Sequence, residues 1–297
     1  VNLNGFKYFF LSGKGGVGKT TSSILMALYF SQRGEKTLLV SLDPAHSLGI
    51  ALKAKLGELP KKVEEKLFAL EVNPEKEMEK YLKKVEKEAR QIVSPAFLGE
   101  VEEELKLAHS SPGALELATA DAIYRIAVEG RGFDKIVFDT APSGYTVRLV
   151  ASPNSIVKWW KGLISVREEA LKYEFLSNLK EKRKLKEIFR EDPILKVLTK
   201  RLKEYETLKE LFTGKETAFG VVFNEGLLPR EIGVRTVREL EEAGAPVKFL
   251  VFNRVKNGIE SLKAKNKIVI KVPEFKEEPI GIEKLKELLK LTRWEVK

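Results

Sequence analysis

Seven short runs of apolar, β-branched and aromatic residues stand out along the chain: Lys7–Leu11, Thr37–Leu42, Leu67–Val72, Lys135–Phe138, Ala218–Phe223, Val247–Phe252 and Ile268–Val272. Most are continuously apolar rather than alternating. That pattern predicts strands covered on both faces, and hence a parallel sheet. Helical periodicity lies between them, as a doubly wound α/β fold requires. One helix starts at Thr20 and stops at Gly34, and the amphipathic, Lys-rich stretch Ile280–Trp294 reads as a last helix.

Two connections are too long for simple crossovers. Residues 74–130 are rich in Glu and Lys, with helical spacing from Lys76 to Ile92 and a second helix from near Pro112 to Val128. Residues 152–215 are punctuated by Pro153 and Pro193, and Leu198, Leu202, Tyr205, Leu208 and Phe212 recur at helical spacing. We read residues 1–297 as a single α/β domain, doubly wound and mostly parallel in its sheet, with 74–130 and 152–215 inserted as an α-helical subdomain.

The chemistry begins between the first strand and the first helix. Gly13 to Thr20 spells G-x-x-x-x-G-K-T, in the strand–loop–helix setting that this phosphate-binding motif needs, so the domain is expected to be of the P-loop NTPase type. The backbone from Gly13 through Lys14, Gly15, Gly16, Val17 and Gly18 is predicted to turn its amides around phosphate oxygens of ATP. The helix N-terminus adds partial positive charge. Lys19 is expected at the β- and γ-phosphates, the Thr20 hydroxyl on Mg²⁺, and Thr21 at the α-phosphate. Lys14 is a second lysine that an ordinary loop of this kind does not need.

Two acidic strand ends complete the candidate site. In SLDPAHSL, Asp43 ends the second strand, where an open α/β sheet binds ligand. A carboxylate there orients or deprotonates an attacking water, and neighbouring His46 reads as a local hydrogen-bonding residue. In FDKIVFDTAPSGYTVRLV, Asp139 has the form of a Walker B carboxylate that holds Mg²⁺. The APSG turn after it is read as a γ-phosphate sensor.

KGGVGKT resembles the deviant phosphate loop of the MinD, ParA, nitrogenase iron-protein and ArsA group of ATPases. In that group the extra lysine, here Lys14, reaches the partner's nucleotide across a dimer, which implies a homodimer with Lys14 catalytic in trans. DPAHSL and DTAPSGYTVRLV narrow the resemblance to the ArsA and tail-anchored-protein-targeting ATPases. VFNRV, with Asn253, is similar to the segment that reads the adenine edge there, and VPEFKEEPIGIEKL to the one whose Pro273 and Phe275 wall the base. The resemblance implies Mg²⁺-dependent ATP hydrolysis driving an open/closed switch that carries hydrophobic transmembrane clients. An anion-pump subunit and a ParA/MinD-like positioning ATPase on DNA or membrane are the alternatives it leaves. The chain departs from the family at Tyr145, where His is usual.

Composition limits the partners. There is no cysteine among the 297 residues, which excludes disulfides and the zinc staple or arsenite thiols of some family members. No run of 18 apolar residues and no leader-like segment is present, so a cytoplasmic location is expected. The net charge of +10 comes with 32% charged residues dominated by Lys and Glu, as on thermostable surfaces, and nucleic acid is not expected as a partner. KEKRKLK, Lys180–Lys186, is the most basic stretch and reads as a solvated helix face. IVKWWKGLISV, Ile156–Val166, is the most apolar part of the second insertion. Its adjacent Trp159 and Trp160 cannot face the same side of a helix, so one is predicted at an edge or interface. This stretch is the candidate client groove.

Overall fold

In the computed structural model all seven apolar runs are strands, and they form the parallel interior of one sheet. The structure describes residues 3–93, 99, 103, 107, 113–129, 132–177, 184–256 and 266–296. Among them the strands are β1 (Tyr8–Ser12), β2 (Thr37–Ser41), β3 (Lys61–Glu64), β4 (Leu67–Glu71), β5 (Lys135–Asp139), β6 (Thr217–Asn224), β7 (Val247–Val255), β8 (Ile268–Pro273) and β9 (Arg293–Val296). The helices are α1 (Lys19–Ser31), α2 (Ser47–Leu52), α3 (Pro74–Ala89), α4 (Ala114–Tyr124), α5 (Ser143–Ser177), α6 (Leu185–Glu191), α7 (Pro193–Thr213), α8 (Leu227–Glu242) and α9 (Ile282–Leu291). A single π turn, Arg125–Glu129, continues α4. The sheet order is β3-β4-β2-β5-β1-β6-β7-β8-β9. Only its edges, β3 on β4 and β9 on β8, run antiparallel.

The chain divides into two compact units. One comprises Val1–Pro74, Arg125–Val150 and Leu211–Lys297, and contains the whole sheet. The other comprises Glu75–Tyr124 and Ala151–Glu210. Its described secondary structure is helical.

Aromatic rings tie the middle of the sheet together. Phe10 of β1 stacks on Phe138 of β5 at 4.5 Å and on Phe219 of β6 at 4.7 Å, each its partner in the strand register. On the other face α1 buries Ile24, Leu25, Leu28 and Phe30 against Phe9, Leu39 and Val137. A helix apolar all round has to be covered all round, which explains why α1 lies against the sheet centre. Its start, and the loop before it, are thereby fixed at the C-terminal ends of the central strands.

The helical unit is held by charge as well as by apolar packing. Arg201 is buried and pairs with Glu88 at 2.6 Å, while Lys84 pairs with Asp121 at 2.5 Å and Glu204 at 3.0 Å. Each charge therefore has an opposite partner, the condition under which buried ions are tolerated. Asp192 caps α7: its Oδ1 accepts the Leu195 amide at 2.7 Å, and its Oδ2 accepts Arg167 Nη2 at 2.7 Å. Pro193 follows at the first helical position, where its missing N–H does no harm.

Four expectations need correction or restriction. Pro153 does not end a helix; it lies buried within the 35-residue α5. One proline removes one internal hydrogen bond, and the packing of a long helix outweighs that loss. The last helix stops at Leu291, and Trp294 belongs to β9, where its ring stacks on Tyr29 at 4.2 Å. Tertiary packing of one large ring overrides the helical spacing there. The short polar strand β3 (KKVE) and β9 were not expected, because each has one neighbour and needs no continuous apolar run. Pro112 and Lys180–Arg183 of the basic stretch lie outside the described residues.

Two predictions follow from this packing. An added Cβ at Gly220 of β6 would stand 1.8 Å from the Phe249 ring, whereas one at Gly162 of α5 meets nothing within 4 Å. In urea unfolding, Gly220→Ala should lose at least about 1–3 kcal/mol, and Gly162→Ala should gain about 0.5–1 kcal/mol. The second prediction concerns pH. Burial pushes the Asp192 carboxyl up, but Arg167 and the Leu195 and Ile194 amides outweigh it and hold it below the usual carboxylate range. A depressed folded-state pKa gives stability that is present above the ordinary Asp value and lost as pH falls through the folded one. Asp192→Ala should therefore cost about 1–2 kcal/mol at neutral pH, and the difference from the unaltered chain should shrink as pH falls below about 4.

Candidate functional site

The loop between β1 and α1 is shaped by glycines that cannot be replaced freely. Gly13 lies so close to β6 that an added Cβ would stand 2.5 Å from the Val222 carbonyl oxygen. Gly16 (φ 78°) and Gly18 (φ 90°) take left-handed conformations that side chains disfavour. Alternating backbone of this kind turns successive N–H groups into a concave anion-binding nest. Val17 between them is buried in the core.

The two lysines of the loop have opposite surroundings. Lys19 is 5% exposed and its Nζ donates to the Lys14 carbonyl at 3.5 Å. Lys14 itself is exposed, as are Gly15 and Gly16. A cavity of about 190 Å³ opens beside this part of the loop, lined by Lys14, Gly16, Phe223, Asn224, Ile232 and Thr236 among others.

Asp139, at the end of β5, is fully buried. Its Oδ1 accepts the Ser23 hydroxyl of α1 at 3.2 Å, and its Oδ2 has no hydrogen-bond partner. Burial pushes its carboxyl up to about 6, against the pull of the Thr20 hydroxyl, the Lys19 ammonium and Ser23, while Asp43 adds to the rise. The buried hydroxyls of Ser12 and Ser41, at the ends of β1 and β2, the strands on either side of β5, also lack partners. A buried carboxylate oxygen without a donor suits a hard cation, which takes oxygen ligands, better than it suits a folded chain left to itself. The donor set therefore fits Mg²⁺, with Asp139 and Thr20 as the side chains that would hold it.

Asp43 is half-buried, and its Oδ1 accepts the Ala45 amide at 3.0 Å, which closes the turn. His46 takes a left-handed conformation (φ 50°) ahead of α2, with its Nδ1 3.9 Å from Glu71. The Thr20 hydroxyl hydrogen-bonds that of Ser47 at 2.9 Å, joining the DPAHS turn to the start of α1. The second turn is joined as well: the Ser143 amide donates to the Gly13 carbonyl at 3.1 Å, and the Thr140 hydroxyl to the Leu11 carbonyl at 2.7 Å. Ser47, Ser143 and Ser23 were not singled out from sequence. The one available signal was that Ser22 and Ser23 interrupt an otherwise apolar helix.

The residues expected at the base lie at the ends of β7 and β8. Asn253 is buried, and its Nδ2 donates to the Val17 carbonyl of the phosphate loop at 2.9 Å. Pro273 ends β8 opposite Val255, and Phe275 is partly buried against the central core. The structure thus gathers Gly13–Thr21, Asp139 and Asn253 around one loop, with Asp43 beside Asp139. Pro273 and Phe275 lie at the end of β8, two strands beyond β6 in the sheet order.

Comparison with known proteins bears on the family of the chain. A family model described as anion-transporting ATPase matches residues 6–292. A putative arsenical pump-driving ATPase 2 of Aquifex aeolicus (strain VF5) is 31% identical over 305 aligned positions, covering 96% of this chain and 98% of that protein. ATPase ASNA1 homolog 1 of Paramecium tetraurelia is 35% identical over 164 residues, 54% of this chain and 48% of that protein. ATPase GET3C of Arabidopsis thaliana is 36% identical over 168 residues, 52% of this chain and 43% of that protein. The chain belongs to the anion-transporting ATPase family, and it is an ATP-hydrolysing enzyme with the P-loop fold.

Proposed function

We propose that the chain is one Mg²⁺-dependent ATPase domain, carrying residues 74–130 and 152–215 as helical insertions, that works as a cytoplasmic homodimer and carries hydrophobic transmembrane clients. The observation behind the dimer is the divergence of Lys14 and Lys19. A buried Lys19 serves its own loop, and an exposed Lys14 is available to a second copy.

In this reading the backbone from Gly13 to Thr21 cradles the phosphates, and Lys19 stabilises the transferred phosphoryl group. Lys14 adds charge to the partner's site once the dimer closes, where charge stabilisation governs phosphoryl transfer. Asp43 orients the attacking water. Thr20 and Asp139 hold Mg²⁺, which supplies charge neutralisation on the phosphates. Asn253, Pro273 and Phe275 flank the adenine. The Ser47–Thr20 and Ser143–Gly13 hydrogen bonds join both acidic turns to the loop, so a change at the γ-phosphate reaches both.

Support for an apolar client comes from α5. Trp159, Val166, Tyr173 and Leu176 are each more than half exposed and recur along one face at seven- and three-residue spacing. Trp159 is on the surface while the Nε1 of Trp160 is buried, their rings 4.7 Å apart, so the pair divides as a helix demands. Apolar helices dock on such stripes. A pump-driving role is the second reading, favoured by the relative from Aquifex aeolicus that matches over nearly its full length.

Two measurements test this. Lys14→Ala should keep ATP binding but lose at least about tenfold in turnover, and Asp43→Asn should bind ATP and turn over slowly. Unchanged turnover in either variant removes that residue from the mechanism. Co-expression with a protein bearing one C-terminal transmembrane helix, purified without detergent, should yield a soluble complex that is lost with Trp159→Asp and Val166→Asp. Failure to form the complex while ATP hydrolysis persists favours the pump reading.

A further inference from the structure

Asn253 stands 236 positions from the phosphate loop in sequence, yet its amide is fitted into it. The Nδ2–Val17 O hydrogen bond is 2.9 Å long, and the residue is only 6% exposed. The same nitrogen occupies the space beside Gly18: an added Cβ there would stand 2.1 Å from Nδ2 and 3.1 Å from Cγ. Side chain and glycine are therefore complementary, the amide filling what the missing side chain leaves.

The geometry of the peptide gives this contact a consequence. Val17 and Gly18 share a planar trans peptide, in which the carbonyl and the following N–H point in opposite directions. A carbonyl held toward Asn253 turns the Gly18 N–H the other way, across the loop. Gly18 also precedes α1, so its N–H belongs to the positive end of that helix. Without the amide, a buried carbonyl loses its donor and a glycine peptide is free to rotate.

We propose that Asn253 is a positioning residue that sets the Val17–Gly18 peptide for phosphate binding, an action felt by any nucleoside triphosphate whatever its base. It rests on the phosphate-loop reading of Gly13–Thr20 and extends the role of Asn253 beyond the adenine edge.

The full chain is titrated calorimetrically, with Mg²⁺ present, against ATP, GTP and tripolyphosphate. Asn253→Ala should weaken all three, tripolyphosphate by about tenfold, because the loss at the loop needs no base; any change in the ratio of ATP to GTP affinity comes on top of it and reads the contact with the adenine edge. Amide hydrogen exchange of residues 15–19, without ligand, should quicken in the variant while the strand amides of β1 and β5 keep their protection. Asn253→Ser carries the same comparison if the alanine variant does not fold. The proposal is overturned if tripolyphosphate affinity and loop exchange are unchanged while only the ATP/GTP ratio collapses, since Asn253 then acts on the base alone. An unaltered chain that binds neither ATP nor tripolyphosphate overturns the phosphate-loop reading itself.

Discussion

The close approach of Gly13 to the Val222 carbonyl is the constraint on which the site depends. A Cβ at 2.5 Å is not tolerated, so the loop lies on the end of β6 only because residue 13 has no side chain. From that anchor the loop turns through Gly16 and Gly18 into α1, and α1 is itself fixed by burial against β1, β2 and β5. The carbonyl of Gly13 then takes the Ser143 amide, and that of Val17 takes Asn253. Four strands, β1, β5, β6 and β7, thereby hold one short loop, which keeps its amides oriented before any ligand arrives. Preorganised dipoles need no rearrangement when charge develops, and that is how such loops help catalysis.

The same region concentrates unmet polar demand. Asp139 keeps one oxygen without a partner, and Ser12 and Ser41 present buried hydroxyls without partners nearby. Elsewhere the fold treats charge differently. The buried ions of the helical unit are paired with one another, Arg201 with Glu88 and Lys84 with Asp121 and Glu204. Those structural charges are paired within the chain, whereas the carboxylate at the end of β5 keeps one oxygen without a partner despite Ser23 and nearby Lys19. Burial, with Asp43 adding to it, raises the Asp139 carboxyl to about 6 against the pull of those groups.

The 35-residue α5 contributes residues to both units. It begins at the APSG turn as Ser143 in the sheet-bearing unit and extends to Ser177 in the helical one, where Trp159, Val166, Tyr173 and Leu176 are exposed. The first turn of that helix also contains the Ser143 amide that contacts Gly13. One continuous helix thus includes both a contact to the phosphate loop and, further along, exposed apolar residues.

The parallel interior of the sheet was legible in the sequence because strands covered on both faces must be apolar throughout, and seven such runs became seven strands. The phosphate loop was legible because its glycines and Lys19 are local requirements of one turn. Asp139 was legible as a strand end, whereas Asp43 lies two residues past the end of β2. Other features depend on residues far apart in the chain. The edge strands β3 and β9 are too short and polar to announce themselves, Pro153 survives inside α5 through packing, and Trp294 leaves the helical pattern to stack on Tyr29. Asn253 faces Val17 only because β7 lies two strands from β1. Sequence determined what depends on neighbours along the chain: strand burial, loop conformation and helix starts. Tertiary structure decided which side chains fill the space those elements leave, because that space exists only once the sheet has assembled.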